Sequence, residues 1–419
     1  MLEFSDAPYR FFEAKPSKPL IWLSRWLNRV LFLPGKNHRI AEIEVQGGED
    51  LRESINRGER ILFVVNHPSH SDPQVITEVH RRLGISSCFM AAYDVFLRSP
   101  LTGWVMQRLG NFSIDREGSD RKAMTAAIDV IKEGKLSLTI FPEGNVYLTN
   151  DRVTPFLDGT AFIAIKAQAS LKERPVKVVP ISLKFTHLTT PRQAITERML
   201  QLGQDSEYEF PEGSTTNPMN AVLGLGEHIV GRYLRSHGYE QEFAIGNANL
   251  HETLTAFGER LVVELETHFE QETSPEESLV DRIRKIRTKI HQLRTDPDKT
   301  PDGDLDSLAD KAILAFRLHG HLTPYLVEQP TIDRYDETVE RISEDFYSEA
   351  MPRTGPRRVI ARIHPGIDVS SLLNEAEGKA RNAVGPLTRA MEKAVQDGVD
   401  EINATNSAPG ATLVDDVRD

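Results

Sequence analysis

The densest apolar run of the chain, Ile61-Leu62-Phe63-Val64-Val65, is rich in β-branched residues and predicts a strand buried on both faces. Three further short apolar runs stand at residues 88–92, 136–141 and 176–181. Between the runs the spacing of apolar positions changes to that of helices: Val75, Ile76, Val79 and Leu83; Val105, Met106 and Leu109; Met124, Ile128 and Ile131; Phe162 and Ile165. Strands and helices taken in alternation predict an α/β fold, with a mixed, mostly parallel sheet covered by helices on both faces. Upstream, Ile43 and Val45 alternate with Glu42 and Glu44 and predict a half-exposed strand closed by Gly47-Gly48.

The amino-terminal stretch has another pattern. Between Leu20 and Leu33 the polar residues Ser24, Arg25, Asn28 and Arg29 share one narrow helical arc, and Trp22, Trp26 and eight aliphatic or aromatic neighbours occupy the rest. Such a helix, ended by Pro34-Gly35, suits a lipid interface; packing on the protein's own core is the competing expectation. The first forty residues carry seven Lys and Arg against three Asp and Glu, a basic start that favours an anionic surface.

Beyond residue 190 the strand signals stop until Val359-Ile360-Ala361-Arg362-Ile363. Residues 203–220 read as a loop and 295–306 as a connection, both dense in turn-forming residues. Around them lie amphipathic faces: Leu254, Phe257, Leu261, Leu265 and Phe269; Ile283, Ile286, Ile290 and Leu293; Tyr335, Val339, Ile342 and Phe346. Spacing of this kind predicts a helical bundle. Ala380, Val384, Leu387, Met391, Val395 and Val399 predict a long final helix. The expected organisation is an amphipathic membrane-interface segment at 1–39, an α/β core at 40–195, a helical insertion at 196–356, a final core strand and helix at 357–402, and a flexible tail at 403–419.

Composition narrows the function. A formal charge of −12 over 419 residues is the wrong sign for a nucleic-acid binder. One cysteine, Cys88, excludes an internal disulfide and fits a reducing compartment. The sequence offers no signal peptide and no run of apolar residues long enough to span a bilayer, so the expected location is cytoplasmic and peripheral on the membrane.

The candidate chemistry follows the predicted strand ends. Asn66-His67-Pro68-Ser69-His70-Ser71-Asp72 begins where the 61–65 strand stops, at the edge where open α/β sheets bind ligands. His67 is suited to take a proton near neutral pH and Asp72 to fix its tautomer; a helix cap formed by Asp72 before Pro73 is the ordinary alternative. Arg116 follows a short strand in Gly110-Asn111-Phe112-Ser113-Ile114-Asp115-Arg116, with a fork of donors suited to an anionic oxygen group. Glu143, in Phe141-Pro142-Glu143-Gly144, offers acceptor oxygens beside a turn glycine.

In this order the blocks resemble those of the glycerolipid acyltransferases, the family that includes 1-acylglycerol-3-phosphate acyltransferases. Asn66, His67, Ser69 and Asp72 fit its NHxSxxD pattern; Gly110, Phe112 and Arg116 its second block; Phe141, Pro142, Glu143 and Gly144 its FPEG; Val179-Pro180 its fourth. The resemblance spans about residues 40 to 190. It implies transfer of a fatty acyl group from acyl-CoA or acyl carrier protein to a glycerolipid hydroxyl, on lysophosphatidic acid, glycerol 3-phosphate or another lysophospholipid. His67 would be the general base, Asp72 its partner, and Asn66, Ser69, Arg116, Glu143 and Gly144 the substrate-binding set. No metal, cofactor or covalent intermediate is implied.

Two departures bear on the acceptor. Asn145-Val146-Tyr147 follows the third block where many members have Thr-Arg-Ser, and Ala92-Tyr93-Asp94 stands in the region of the family's lysine. Arg152 is the nearby cation that would replace the missing charge. The alternatives are a metal-dependent hydrolase using His67, His70 and Asp72, and a non-catalytic membrane-surface scaffold. The sequence does not choose acyl chain length, the role of the helical insertion or an oligomeric state.

Overall fold

The computed structural model describes residues 9–116, 120–171, 174–211, 218–236, 238–239, 250–274, 277, 279–295, 305–320 and 323–414. It divides into two compact units, one of Glu3–Thr190 with Met351–Thr412, the other of Pro191–Ala350 with the segment from Leu413.

In the first unit, helix α1 (Lys18–Leu27) continues as a π-helical turn, Asn28–Phe32, and leads to β1 (Ile40–Gln46). There follow α2 (Leu51–Asn56), β2 (Arg60–Val65), α3 (Asp72–Arg82), β3 (Ser87–Ala92), α4 (Tyr93–Leu97), α5 (Pro100–Arg108) and β4 (Phe112–Ile114). Then come α6 (Arg121–Glu133), β5 (Ser137–Ile140), α7 (Asp158–Ser170) and β6 (Val176–His187). The second unit contributes α8 (Arg192–Ser206), α9 (Pro218–Ser236), α10 (Leu250–His268), α11 (Leu279–Thr295), α12 (Leu305–Gly320), α13 (Thr323–Glu328) and α14 (Ile332–Tyr347). The chain re-enters the first unit through β7 (Arg357–Ile363), β8 (Ile367–Asp368), α15 (Val369–Glu375) and α16 (Ala380–Thr405).

The eight strands form one sheet in the order β1-β7-β6-β2-β5-β3-β4, with β8 beside β6. Neighbours are parallel except where β6 meets β7 and β8. This is the mixed, mostly parallel sheet that the alternating pattern predicts. Successive residues of β2 serve opposite cores, as the pleat requires. Leu62 and Val64 pack with Ile131, Ile163 and Met391 from α6, α7 and α16. Ile61, Phe63 and Val65 pack with Val75, Ile76 and Val79 of α3.

Because β2, β3, β4 and β5 run parallel, the loops after them emerge at one edge of the sheet. The chain leaves β2 toward β3 on one side and leaves β5 toward β6 on the other. Neighbouring strands with diverging connections open a crevice beyond their carboxyl ends.

The helical unit has its own core, in which Ile195, Met199 and Leu202 of α8 and Val222, Leu225 and Ile229 of α9 meet Tyr335, Val339 and Ile342 of α14. The predicted faces point inward: Leu254, Phe257, Leu261 and Leu265 are buried, as are Ile283, Ile286 and Ile290. The expected loop at 203–220 is shorter than its composition implies, since α8 runs to Ser206 and α9 starts at Pro218; part of it lies outside the described residues. The expected connection at 295–306 falls almost wholly outside them.

One expectation needs correction. Residues 403–414 are not a loose tail: α16 extends to Thr405, a 3-10 turn occupies Pro409–Ala411, and Asn403 donates to Asp151 at 3.0 Å. The turn chemistry of Asn406, Ala408 and Pro409 orders a stretch whose composition reads as frayed. Residues 415–419 lie outside the described set. Helix α1 and its π turn sit the other way round from an ordinary surface helix, a direction that the amphipathic pattern left open. Arg25 donates to Ile85 O and the buried Asn28 to Gln74 O, so these two residues of the polar arc face the protein, while Arg29 is exposed. The apolar side is exposed, with Trp22 at 70% and Leu31 at 58%.

Candidate active site

Asn66 ends β2 and performs a task for its neighbour. β2 pairs with β6 only as far as Ile181, which leaves the next residues of β6 without a strand on that side. The Asn66 amide donates to Leu183 O at 2.9 Å and accepts from Leu183 N–H at 2.7 Å, extending the ladder with a side chain. The buried Asn150 treats Phe185 in the same way, at 2.6 and 2.8 Å. The chain is thereby released from the sheet at His67 while the sheet edge stays satisfied.

The His67 Nδ1–H donates to Asp72 Oδ2 at 2.7 Å. Asp72 stands in the first turn of α3, fully buried, and also accepts the Ser69 amide at 3.0 Å; it makes no side-chain cap to the helix, whose N-cap is Ser71. Burial pushes the Asp72 carboxyl up, opposed by the His67 bond and the Ser69 amide. The imidazole lies flat on Phe141, with ring centroids 4.2 Å apart and planes 17° off parallel, and Phe141 in turn stacks over Phe89. With Nδ1 engaged and one ring face covered, Nε2 is the nitrogen left for chemistry, on a side chain 16% exposed.

Glu143 comes from the end of β5, next to β2. Its two oxygens accept main-chain amides, from His67 at 2.6 Å and from Thr154 at 3.0 Å. The carboxyl is buried, and loss of water pushes it up to about 7 even though both amides favour the charged form. Gly144 has φ of +78°, a left-handed conformation that turns the chain back so that its amide bonds Phe141 O. The loop beyond is strapped to α16: Glu392 accepts from Phe156 N–H at 2.7 Å, and Gln396 accepts from Val153 N–H at 2.8 Å.

Arg116, after β4, reaches the same edge. Its guanidinium donates to Asp94 of α4 at 3.0 Å, to Asn145 Oδ1 at 2.7 Å and to Gly144 O at 3.3 Å, and is half-buried. The structure thus brings together His67, Asp72, Glu143, Gly144 and Arg116 from three loops. The polar atoms of Asn66 and Glu143 are engaged inside the scaffold, and Ser69 Oγ accepts from Ser71 N–H and from Arg353. Arg152 is exposed and contributes its carbonyl to Thr149. Among the described residues, no group of three or more His, Cys, Asp or Glu side chains stands where it would hold a metal ion, His67, His70 and Asp72 included.

Several participants had no signal in the sequence. Arg353 and Arg357 approach from just before and within β7, the latter donating to Ser71 Oγ at 3.0 Å and to His38 O at 2.8 Å. No local spacing links them to a loop nearly three hundred residues earlier. Asn150 and Thr154 are likewise legible only once β6 and Glu143 are in place.

Residues 42–184 match the family model described as Acyltransferase. Similar proteins include glycerol-3-phosphate acyltransferases of Alteromonas mediterranea, 28% identical over 161 residues, and of Pseudoalteromonas atlantica, 26% over 152. That of Shewanella oneidensis is 28% identical over 158 residues. These alignments cover 37%, 35% and 36% of this chain and 19%, 18% and 19% of the relatives, so the chain spans about a fifth of the length of the curated proteins it matches.

Proposed function

We propose, from the match of residues 42–184 to the Acyltransferase family model, that the protein transfers a fatty acyl group from a thioester donor, acyl-CoA or acyl carrier protein, to a glycerolipid hydroxyl. The observation that carries this reading is the 2.7 Å bond between His67 and Asp72 at the open edge of the sheet. His67 Nε2 takes the proton of the acceptor hydroxyl as its oxygen attacks the thioester carbonyl. Asp72 steadies the imidazolium that forms. The tetrahedral intermediate collapses by breaking the carbon–sulfur bond, and the imidazolium returns the proton to the thiolate. The step balances without a resident cofactor or covalent intermediate.

Glu143 and Asn66 are positioning residues in this scheme: one holds the His67 amide, the other fixes where β2 ends. Arg116 is the cation for the acceptor's head, the family relatives' names pointing to glycerol 3-phosphate or a compound like it. Its carboxylate partner Asp94 competes with any phosphate there. The outward apolar face of α1 supports attachment to a membrane surface. Among the described residues, no helix is long and apolar enough to cross a membrane.

Thiol release from acyl-CoA and from acyl carrier protein, with glycerol 3-phosphate and with lysophosphatidic acid as acceptors, tests the reading. His67→Ala is expected to lower the rate by about 10²–10⁴ with its circular dichroism unchanged. A correctly folded His67→Ala protein of full activity would refute it.

A further inference from the structure

The exposed apolar side of α1 is not the only one in the α/β unit. Leu97 at the end of α4 and Leu101 and Trp104 of α5 are exposed, Leu101 at 68%. They are held outward by a rigid frame. Ser99 caps α5 through the Thr102 amide at 3.0 Å, and Gly103 lies with its Cα against Phe96 O, where a Cβ would stand 2.7 Å away. The opposite side of the hairpin is buried by Phe96, stacked on Phe12 at 5.0 Å.

The two exposed faces meet at a junction. Lys15 N–H donates to Gln107 O and Ser17 N–H to Arg108 O, each at 2.8 Å, so α1 departs from the last turn of α5. We infer that the α4–α5 hairpin is the second half of a surface that seats on an anionic bilayer, Leu97, Leu101 and Trp104 dipping into the interface beside Trp22 and Trp26. This rests on the membrane attachment proposed above and extends it to a segment that has no amphipathic signature of its own.

Charge selects the occupant. The chain as a whole is acidic, at −12, yet exposed Lys15, Lys18, Arg29 and Arg98 surround these faces, and Arg108 lies over the Trp104 ring at 5.6 Å. A second copy would bring two basic rims together, whereas an anionic lipid surface is complementary to them. Tryptophan beside arginine is the composition of an interfacial belt. The placement also serves the chemistry. Asp94, which binds Arg116, precedes Leu97 by one helical turn on α4, so an acceptor's head and the bilayer surface are separated by only about 5 Å along that helix.

Flotation of the full chain with vesicles of phosphatidylcholine alone, and with phosphatidylglycerol added, tests the inference. Leu101→Glu/Trp104→Glu is expected to reduce binding to the anionic vesicles at least about tenfold, as is Trp22→Glu/Trp26→Glu, with thermal unfolding unchanged. Normal binding by Leu101→Glu/Trp104→Glu alongside loss by the α1 variant overturns the inference and leaves the α1 reading standing. Normal binding by both overturns both. If light scattering shows a dimer that the α5 variant breaks, a second copy covers the face and the inference falls. Should that variant not fold, Trp22→Phe/Trp26→Phe leaves Trp104 as the reporter. Quenching of its fluorescence by brominated lipid supports insertion, and unaltered fluorescence overturns it.

Discussion

Burial raises the Glu143 carboxyl from 4.5 to about 7, so between those values the folded protein keeps a proton that the unfolded chain has released. Stability from this group is therefore complete below about 4.5 and is lost as pH rises through about 7. The melting temperature of wild type minus that of Glu143→Gln is expected to be larger at pH 5 than at pH 8. A difference independent of pH would mean that the carboxyl does not titrate there. Asp94 lends itself to a kinetic test. Asp94→Asn keeps a hydrogen-bond acceptor for Arg116 but removes the competing charge, so the KM for a phosphate-bearing acceptor should fall by several-fold, roughly 3–10, with kcat little altered. An unchanged KM would remove Arg116 from the acceptor site.

At the scale of elements, the site depends on how β6 is held from both sides. Asn150→Ala would leave the Phe185 amide and carbonyl without the bonds they now make, at a cost of about 1–3 kcal/mol, measurable by urea unfolding. On one face of the sheet, α16 lies close against β6 at Gly398. A Cβ there would stand 2.3 Å from Ser182 Oγ and 2.4 Å from His364 Nε2, which are hydrogen-bonded to each other at 2.8 Å. Gly398→Ala is expected to destabilise by about 1–3 kcal/mol. Because α16 also straps residues 153–156, its acyl-transfer rate should fall with its stability; a rate that holds while stability drops would separate the two.

On the scale of the whole molecule, β6 and β7 are antiparallel neighbours whose connection is the helical unit. His187 pairs with Arg357, and Leu188 N–H donates to Pro356 O at 3.0 Å, so the chain leaves and returns at adjacent points of one sheet. Replacing residues 191–350 with a short Gly-Ser linker should leave a protein that unfolds cooperatively and retains α/β circular dichroism. A product with no cooperative transition would show that the α/β unit needs the helical one to fold.

The hydrophobic alternation in the sequence was enough to give the sheet and its covering helices. Residues 61–65 are apolar on both faces, and a strand between two helical layers buries such a run. The motif blocks were equally legible, because His67, Arg116 and Glu143 each follow a predicted strand closely. What each side chain does was decided by tertiary structure. Asn66 and Glu143 have the chemistry of ligands for substrate, but long-range partners at Leu183 and Thr154 take their polar atoms. The direction in which α1 faces was open for the same reason. An amphipathic pattern records that a helix has two sides, and only the positions of Ile85 and Gln74, where Arg25 and Asn28 find their partners, determine which side meets the protein.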